Sequence, residues 1–266
     1  MTKPKIAIAM YGIPRGSGIT MPSLARHFIE PARRIGECRV FYHLFQQDRV
    51  FNTRSREDAP LPSQAYAPFA AFDGELEPPD LCLDRWRYDR ILEFGDHYQD
   101  GFCSIRNLVH QLHSVRQVTA RLTPWQPDVV LYLRPDLLYH TDLDISTIAM
   151  LCEHPRRCIV PDWQWWGGYN DRFAFCGAEV YAAYGNRIER AIEFSERTRR
   201  PLQAERLVRY VLRNAGASVR TTTLQADRVR VDGRIKPEDF SAHATAGSMR
   251  RQLEIARLHL LTRLSV

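Results

Sequence analysis

Three short apolar runs, each followed directly by a polar cluster, constrain the fold of this chain more than any other feature. The runs are residues 6–11, 129–133 and 158–161, and the clusters that follow them are residues 12–18, 134–136 and 162–173. Apolar runs of this length without alternation are typical of strands buried on both faces of a parallel sheet. Because α/β sheets bind ligands outside the carboxyl ends of their strands, we expect the three clusters to converge on one site.

The order of the elements predicts an α/β fold. A helical stretch through Leu24 and Ile29 and a second strand near residues 39–45 follow the first run, and together they form the first unit of a doubly wound sheet. Apolar spacing predicts further elements, which are helices near residues 85–94, 104–122, 178–184 and 203–214 and a late strand near residues 219–223. We therefore predict a Rossmann-like, mostly parallel sheet flanked by helices.

We expect a single domain over residues 1–266, because no linker or internal repeat divides the chain. Residues 52–79 are rich in Pro, Ala, Ser and acidic side chains, which predicts a long surface excursion. Residues 247–264 predict an amphipathic, arginine-rich helix. That helix either packs on the domain or makes a peripheral contact with an anionic membrane surface.

Composition excludes several classes of protein. The chain is 44% hydrophobic and 26% charged, which is ordinary for a globular enzyme and unlike a disordered or coiled-coil protein. Its net charge of +6 comes almost entirely from arginine, since lysine occurs only at positions 3, 5 and 236. The arginines are spread along the chain and form no recognisable binding module, so we expect no nucleic-acid partner.

The sequence lacks the patterns of a membrane span, a signal peptide and a zinc site. No apolar run approaches the roughly 20 residues needed to span a bilayer, and the first run is too short for a signal peptide. We therefore expect a cytoplasmic protein. If the C-terminal helix binds lipid, the protein would be peripheral at the inner face of the membrane. The six cysteines form no CxxC pair, which predicts reduced thiols and no zinc site. His110 and His113 share a helix face without an obvious third ligand, so we expect both to be structural or solvent-facing.

The first two clusters suit an anionic ligand. Gly12 lets the backbone approach a phosphate, and the guanidinium of Arg15 supplies paired donors for its oxygens. Arg134 follows the most apolar strand and can neutralise a diphosphate, while Asp136 can bind a metal ion or a sugar hydroxyl. The alternatives are an ordinary glycine-rich turn and a surface Arg–Asp pair.

The third cluster suits a sugar. Trp165 and Trp166 are consecutive aromatic residues beside glycines, and apolar ring faces stack on the C–H groups of a pyranose. Asn170 can bind hydroxyls, and Asp171 is the preferred base for removing the proton of an acceptor hydroxyl. Glu205 begins a predicted helix and is either a second catalytic carboxylate or a simple N-terminal helix charge.

These motifs together resemble a known family. Residues 131–139, Leu-Tyr-Leu-Arg-Pro-Asp-Leu-Leu-Tyr, and residues 170–177, Asn-Asp-Arg-Phe-Ala-Phe-Cys-Gly, are similar to segments of GT-A-like glycosyltransferases from bacterial surface-polysaccharide clusters and large viruses. Residues 10–15, Gln111 and Ser114 also fit the pattern of that family. The likeness spans residues 5–215 through short motifs.

The resemblance implies a transferase with a GT-A fold that moves a sugar from a nucleotide-sugar donor to a glycan or lipid-linked acceptor in polysaccharide biosynthesis. Gly12, Arg15, Arg134 and Asp136 would then bind the donor, with the aromatic cluster at the sugar and acceptor. Many such enzymes hold a divalent metal, Mn²⁺ or Mg²⁺, through an Asp-x-Asp motif. Here Arg134 replaces the first acid, so Asp136 is the remaining candidate ligand and metal dependence stays open.

Two other functions are also open. Residues 12–20 are similar to the phosphosulfate loop of the sulfotransferases that use 3′-phosphoadenosine 5′-phosphosulfate (PAPS), although the serine of that family is missing downstream of Arg134. That function also leaves the aromatic segment 162–173 unexplained. A non-catalytic sugar- or nucleotide-binding module would leave Asp136 and Asp171 dispensable for any turnover.

Overall fold

The computed structural model describes residues 3–240. Its strands are β1 (Lys5–Gly12), β2 (Glu37–Phe45), β3 (Arg49–Asn52), β4 (Glu57–Pro60), β5 (Asp73–Glu77), β6 (Val129–Leu133), β7 (Leu137–Tyr139), β8 (Arg157–Pro161), β9 (Ala174–Gly177), β10 (Ser218–Thr222), β11 (Ala226–Val229) and β12 (Ile235–Lys236). The α-helices are α1 (Ser17–Leu24), α2 (Glu30–Ile35), α3 (Leu81–Arg85), α4 (Tyr88–Leu92), α5 (Cys103–Leu122), α6 (Ile145–Glu153), α7 (Tyr181–Gly185), α8 (Ala191–Thr198) and α9 (Ala204–Asn214). A π-helical segment, Ala25–Ile29, joins α1 to α2.

The centre of the fold is a seven-stranded sheet with the order β10-β8-β9-β6-β1-β2-β5. Its neighbouring strands are parallel, except that β9 runs antiparallel to both β6 and β8. A smaller sheet, β12-β11-β7, lies after the end of β6, and β3 pairs with β4 in a hairpin. The predicted class, an α/β fold with a mostly parallel sheet flanked by helices, is confirmed.

The two faces of the sheet are buried in two separate hydrophobic cores. Successive residues of β1 alternate between them: Ala7 and Ala9 pack with residues of α5 and α9, whereas Ile6 and Ile8 pack with residues of α1 and α6. All four of these side chains are fully buried. A strand covered on both faces must be apolar throughout, which is the reason that the first run lacks alternation.

Helix α5 brings polar side chains to the carboxyl ends of β1 and β2. Its apolar residues at helical spacing, which include Ile105, Leu112 and Val118, are fully buried against the sheet. The same helix places Gln111 and Ser114 beside the loops that follow the strands. The amphipathic pattern of the predicted helix 104–122 therefore also determines the position of these two polar groups.

The structure modifies several expected elements. Residues 85–94 form the end of α3 and all of α4 rather than one helix. The range 52–79 contains β4, a 3-10 turn (Ser63–Phe69) and β5, and β5 joins the central sheet as an edge strand beside β2. The expected amphipathic helix at residues 247–264 lies outside the described residues. None of the helices within residues 3–240 is long and apolar enough to span a membrane.

The aromatic loop after β8 packs directly on the first turn of α9. A Cβ atom added at Gly168 would lie 1.9 Å from the carbonyl oxygen of Glu205, and that oxygen accepts a hydrogen bond from the backbone N–H of Tyr169 at 2.9 Å. Only glycine permits this approach of two backbones. The position of Glu205 therefore depends on the loop between β8 and β9.

Replacing Gly168 by alanine should force the loop away from α9. We expect Gly168→Ala to lower the free energy of unfolding by roughly 1–3 kcal/mol or more, as overpacking of a rigid contact does. Gly18→Ala is the matched control, because a Cβ atom at exposed Gly18 meets no atom within 4 Å. Urea denaturation of the two variants tests this, and equal stabilities would contradict the close contact.

Candidate active site

A cavity of about 840 Å³ lies at the carboxyl ends of β1 and β6. The three polar clusters that follow the apolar runs all contribute to its wall, as their order along the chain predicted. Of the donor-binding, sugar-binding and catalytic residues predicted from the sequence, those that line this cavity are Gly12, Arg15, Arg134, Asp136, Trp166, Asp171 and Glu205. The convergence places donor-binding and catalytic candidates within one enclosure.

Two of the predicted sugar-binding residues, Trp165 and Asn170, do not line the cavity. The indole N–H of Trp165 donates to the carbonyl oxygen of Pro161 at 2.8 Å, and its ring packs against Tyr169. Asn170 is 1% exposed, donates to the carbonyl oxygen of Trp163 at 2.6 Å and accepts from the backbone N–H of Arg172. Their polar groups hold the loop in shape, so the expectation that they contact sugar is not supported.

The wall of the cavity carries an excess of positive charge. Nine of its side chains are Arg or Lys, whereas five are Asp or Glu. A partly enclosed cavity lined mainly by one sign of charge attracts ligands of the opposite sign. The charge balance of the wall therefore favours an anionic ligand.

Asp136 is held between arginines. Arg134 donates from Nε to Oδ1 at 2.9 Å and from a terminal nitrogen to Oδ2 at 2.8 Å, and Arg15 lies 3.5 Å from Oδ2. Burial by itself would raise the pKa of Asp136, but the charge of Arg134 and its hydrogen bonds lower it far below the usual range. Asp136 is thus a permanent carboxylate whose two oxygens are both occupied.

This arrangement does not fit a metal ion at Asp136. A divalent cation is repelled by adjacent guanidinium groups, and Arg134 already neutralises the charge of the carboxylate that would hold it. The expectation that Asp136 binds Mn²⁺ or Mg²⁺ is not supported by these contacts. Arg134 lines the cavity beside Asp136 and supplies positive charge directly.

A second carboxylate, Glu57, joins the first loop to the β11–β12 hairpin. Its Oε2 accepts hydrogen bonds from Arg15 and Arg230, both at 2.8 Å, and its Oε1 accepts from the backbone N–H of Val231. The turn at Gly16 also packs closely on this hairpin, because an added Cβ atom would lie 2.2 Å from a methyl carbon of Val229. The hairpin is therefore fixed against the loop after β1.

The wall formed by Arg172 and the hairpin is more cationic than its carboxylates can balance. Arg172 and Arg228 share one carboxylate, Glu238. Burial and the charge of Arg172 lower the pKa of Arg228 to about 10, and the charge of Arg228 in turn lowers the pKa of Lys236. Within residues 3–240 no carboxylate lies within 4.0 Å of the Lys236 ammonium group. Mutual repulsion of this kind is relieved when an anion binds.

Two buried guanidinium nitrogens add unused hydrogen-bond donors. The Nε atoms of Arg15 and Arg172 have no acceptor among the described residues, although both arginines line the cavity. Buried donors are normally satisfied, so an unsatisfied pair in one cavity marks a place for external acceptors. Phosphate oxygens are suitable acceptors for such groups.

Asp171 is fixed by the α5 side chain that the sequence placed before the central strand. The amide of Gln111 donates to Asp171 Oδ2 at 2.8 Å, and the amide oxygen of Gln111 accepts from Arg134 at 3.0 Å. Burial favours the neutral acid, but the charges of Arg172, Arg134 and Arg187 outweigh it and lower the pKa of Asp171. This carboxylate is well oriented, ionised and weakly basic.

Glu205 has the opposite electrostatic environment. Burial, together with the negative charge of nearby Asp171, raises the pKa of Glu205 to about 8. The side chain lines the large cavity and also a smaller one beside it. Two carboxyl groups in one site with pKa values pushed apart are a common arrangement for dividing ionised and proton-transferring roles.

Three side chains, one each from β2, β5 and α5, could hold a metal ion by their spacing. The potential ligand atoms of His43, Glu77 and His113 all lie within 4.8 Å of one another. However, the indole N–H of Trp86 donates to Nδ1 of His113 at 2.8 Å, which leaves the ring proton on Nε2, where it faces Glu77 at 2.7 Å. A protonated Nε2 has no lone pair for a metal, so in this arrangement the cluster is a hydrogen-bonded network.

The network supports the end of β1 through Ser114. The hydroxyl of Ser114 donates to the carbonyl oxygen of His43 at 2.6 Å and accepts from the backbone N–H of Gly12 at 2.8 Å. The N–H of Gly12 is therefore already used, and its expected contact with a phosphate is not supported. Gly12 has φ of 106°, a backbone conformation that favours glycine and turns the chain along the cavity wall.

Sequence reasoning missed Arg172 and the cations of the hairpin. Arg228 and Arg230 are two residues apart, with valines on either side of Arg230, and such alternation places both guanidinium groups on one face of an extended chain. That pattern could have indicated a basic face. Nothing in the sequence places the face against Glu57, which lies 173 residues away from Arg230.

Comparisons with known proteins give limited information. No family model matches the chain, and no curated protein matches it. Among solved structures, the chain is similar to the apo form of mouse xyloside xylosyltransferase 1, with a TM-score of 0.42 and 11% identity over 82% of this chain and 84% of that chain. This similarity is too low to assign an activity.

The raised pKa of Glu205 has a consequence for stability. The native state retains a proton on Glu205 between the ordinary pKa of 4.5 and about 8, whereas the unfolded state has lost it, so stability falls as the pH rises through this window. Glu205→Gln removes this loss. We expect the variant to melt at least about 2 °C above the parent at pH 9, with the difference vanishing near pH 4.5.

Differential scanning calorimetry between pH 4.5 and pH 9 provides the measurement. Glu153→Gln is the control, because Glu153 is exposed and lies outside both cavities. A Glu205→Gln variant that is less stable than the parent at pH 9 would show that the native carboxyl is ionised and stabilised by its neighbours.

Proposed function

We propose that this protein is a glycosyltransferase that transfers a sugar from a nucleoside diphosphate sugar to a glycan or lipid-linked acceptor in surface polysaccharide synthesis. The observation that carries the proposal is the excess of cations in the cavity at the carboxyl ends of β1 and β6. Its volume of about 840 Å³ is in the range of small-molecule sites. Among anionic ligands, the resemblance of residues 131–139 and 170–177 to GT-A-like enzymes favours a nucleotide sugar.

In this proposal, guanidinium and ammonium groups neutralise the donor diphosphate in place of a metal ion. Arg134, Arg172, Arg228 and Lys236 bind the diphosphate oxygens, and Arg15 contributes its free Nε–H. These groups stabilise the negative charge that accumulates on the nucleoside diphosphate as it leaves. Because they are held in place before the donor binds, little reorganisation is needed during the reaction.

The two carboxyl groups take different roles. In a direct displacement, the acceptor oxygen forms a bond to the anomeric carbon, the bond from that carbon to the diphosphate oxygen breaks, and the leaving diphosphate keeps the electron pair. The acceptor proton passes to the carboxylate of Glu205. A base works best when its pKa lies near the operating pH, which favours Glu205 over the weakly basic Asp171.

Asp171 then serves as an ionised hydrogen-bond acceptor for a hydroxyl of the donor sugar. Its fixed orientation through Gln111 suits this positioning role. The base assignment therefore moves from Asp171, which the sequence favoured, to Glu205, which it offered as the alternative. This assignment predicts a transfer rate that rises with pH up to about 8.

Nucleotide binding tests the proposed ligand class without a known acceptor. UDP, GDP, CMP and adenosine 3′,5′-bisphosphate are each added at increasing concentration in 5 mM EDTA or in Mn²⁺, and the melting temperature is followed. A ligand at 100 times its dissociation constant stabilises a protein by roughly 2.7 kcal/mol. We expect one nucleoside diphosphate to raise the melting temperature equally in EDTA and Mn²⁺. A response to the bisphosphate alone would support a sulfotransferase instead.

Lys236 provides a direct test of the diphosphate contacts. Its removal leaves no carboxylate without a partner, so Lys236→Ala should fold normally while losing a charge-assisted contact. We expect the dissociation constant of the nucleoside diphosphate to rise about tenfold or more, as measured by isothermal titration calorimetry in EDTA. Lys3→Ala, at an exposed position outside the cavity, should bind as the parent does. Equal affinities of the two variants would remove Lys236 from the donor site.

A further inference from the structure

A second cavity, of about 400 Å³, opens beside the first. The two share four lining residues, Arg54, Tyr98, Trp166 and Glu205, which form the boundary between them. The remaining wall of the smaller cavity comes from residues 53, 97, 100 and 203. Any ligand in the smaller cavity therefore lies next to one bound in the larger cavity, with Glu205 at the junction.

The smaller cavity lacks the positive charge of the larger one. Among residues 3–240, Arg54 is the only arginine that lines this cavity, and its guanidinium group lies 5.1 Å from the ring centre of Tyr98. Burial, followed by the charges of Arg206 and Arg54, lowers the pKa of His97, which keeps that ring neutral. The wall also carries two carboxyl groups, Asp100 and Glu205. This balance does not favour a phosphate.

The groups of this wall suit a neutral ligand rich in hydroxyls. The Asp100 carboxylate already accepts hydrogen bonds from the backbone N–H and hydroxyl of Ser104, so it presents a fixed acceptor edge. Gln203 caps α9 by accepting from the backbone N–H of Arg206, and its amide N–H₂ donates to Glu205. Fixed planar polar groups beside aromatic rings are complementary to a pyranose, which has an apolar C–H face and a polar edge.

Trp166, at the boundary of the two cavities, combines an exposed side chain with an unfavourable backbone conformation. The residue is 63% exposed and its backbone φ is 44°, and Gln164 and Gly167 in the same loop also have positive φ values, of 50° and 84°. Positive φ is energetically unfavourable for a bulky residue, and an exposed indole gains no stabilisation from burial. A ligand that stacks on the ring would supply the missing contact.

We propose that the smaller cavity is an acceptor subsite that binds the terminal pyranose of a neutral saccharide, stacked on Trp166, with its reacting hydroxyl directed at Glu205. This inference rests on the proposed function and adds the chemical class of the acceptor. The hydroxyl loses its proton to the Glu205 carboxylate as its oxygen bonds to the anomeric carbon of the donor in the larger cavity. The boundary residues bring the two substrates together.

Saccharide binding tests this subsite independently of turnover. Saturation-transfer NMR with p-nitrophenyl β-D-glucoside, galactoside and xyloside measures binding to the parent and to the variants Trp166→Ala, Trp166→Phe and Ile145→Ala. Ile145 is the control, because it is a large exposed apolar residue that lines neither cavity. Thermal shifts with UDP and GDP report on the larger cavity in the same variants.

We expect at least one glycoside to bind to the parent and to Ile145→Ala with equal affinity, at least about tenfold more weakly to Trp166→Ala, and with intermediate affinity to Trp166→Phe. A nucleotide shift should remain in all four proteins, with equal size in the parent and Ile145→Ala. The inference is overturned if no glycoside binds to the parent or if Trp166→Ala binds as well as the parent. Glycoside binding without any nucleotide shift would retain the saccharide subsite and contradict the donor assignment of the larger cavity.

Discussion

The bidentate contact between Arg134 and Asp136 governs the chemistry of the large cavity. It engages both oxygens of a buried carboxylate at the end of the central strand and fixes a guanidinium group in the wall of the cavity. A buried ion pair of this kind is costly to desolvate, and loss of either partner would leave an uncompensated buried charge. The remaining cations extend this positive wall, and Gln111 connects the pair to Asp171.

The second organising feature is the separation of the two catalytic candidates by their surroundings. The charges of three arginines keep Asp171 ionised, whereas Glu205 lies at the first turn of α9, where burial and the charge of Asp171 favour its protonated form. The close packing of Gly168 on the backbone of Glu205 fixes this position. The fold thus creates one permanent acceptor and one group that exchanges a proton near neutral pH.

The sequence predicted the sheet and the position of the site because both follow from local rules. Uninterrupted apolar runs identified β1, β6 and β8, and the polar residues after them converge as parallel strands require. The antiparallel strand β9 and the edge strand β5 were missed, since neither has a pattern distinct from its neighbours. Trp165 and Trp166 are adjacent in the sequence and have the same neighbours, so the sequence does not distinguish them. The positive φ values within residues 164–167 direct Trp166, and not Trp165, to the cavity. The positions of the cationic side chains on the β11–β12 hairpin could not be predicted, because they depend on contacts with residues distant in sequence, such as that of Arg230 with Glu57.

A crystal structure with a nucleoside diphosphate, grown in the presence of Mn²⁺, tests the central claim most directly. The account predicts diphosphate oxygens within hydrogen-bonding distance of Arg134 and of the wall formed by Arg172, Arg228 and Lys236. It also predicts that Asp136 keeps its bidentate contact and holds no manganese, which anomalous diffraction would detect. A manganese ion bridging Asp136 and the diphosphate, or a nucleotide bound outside this cavity, would contradict it.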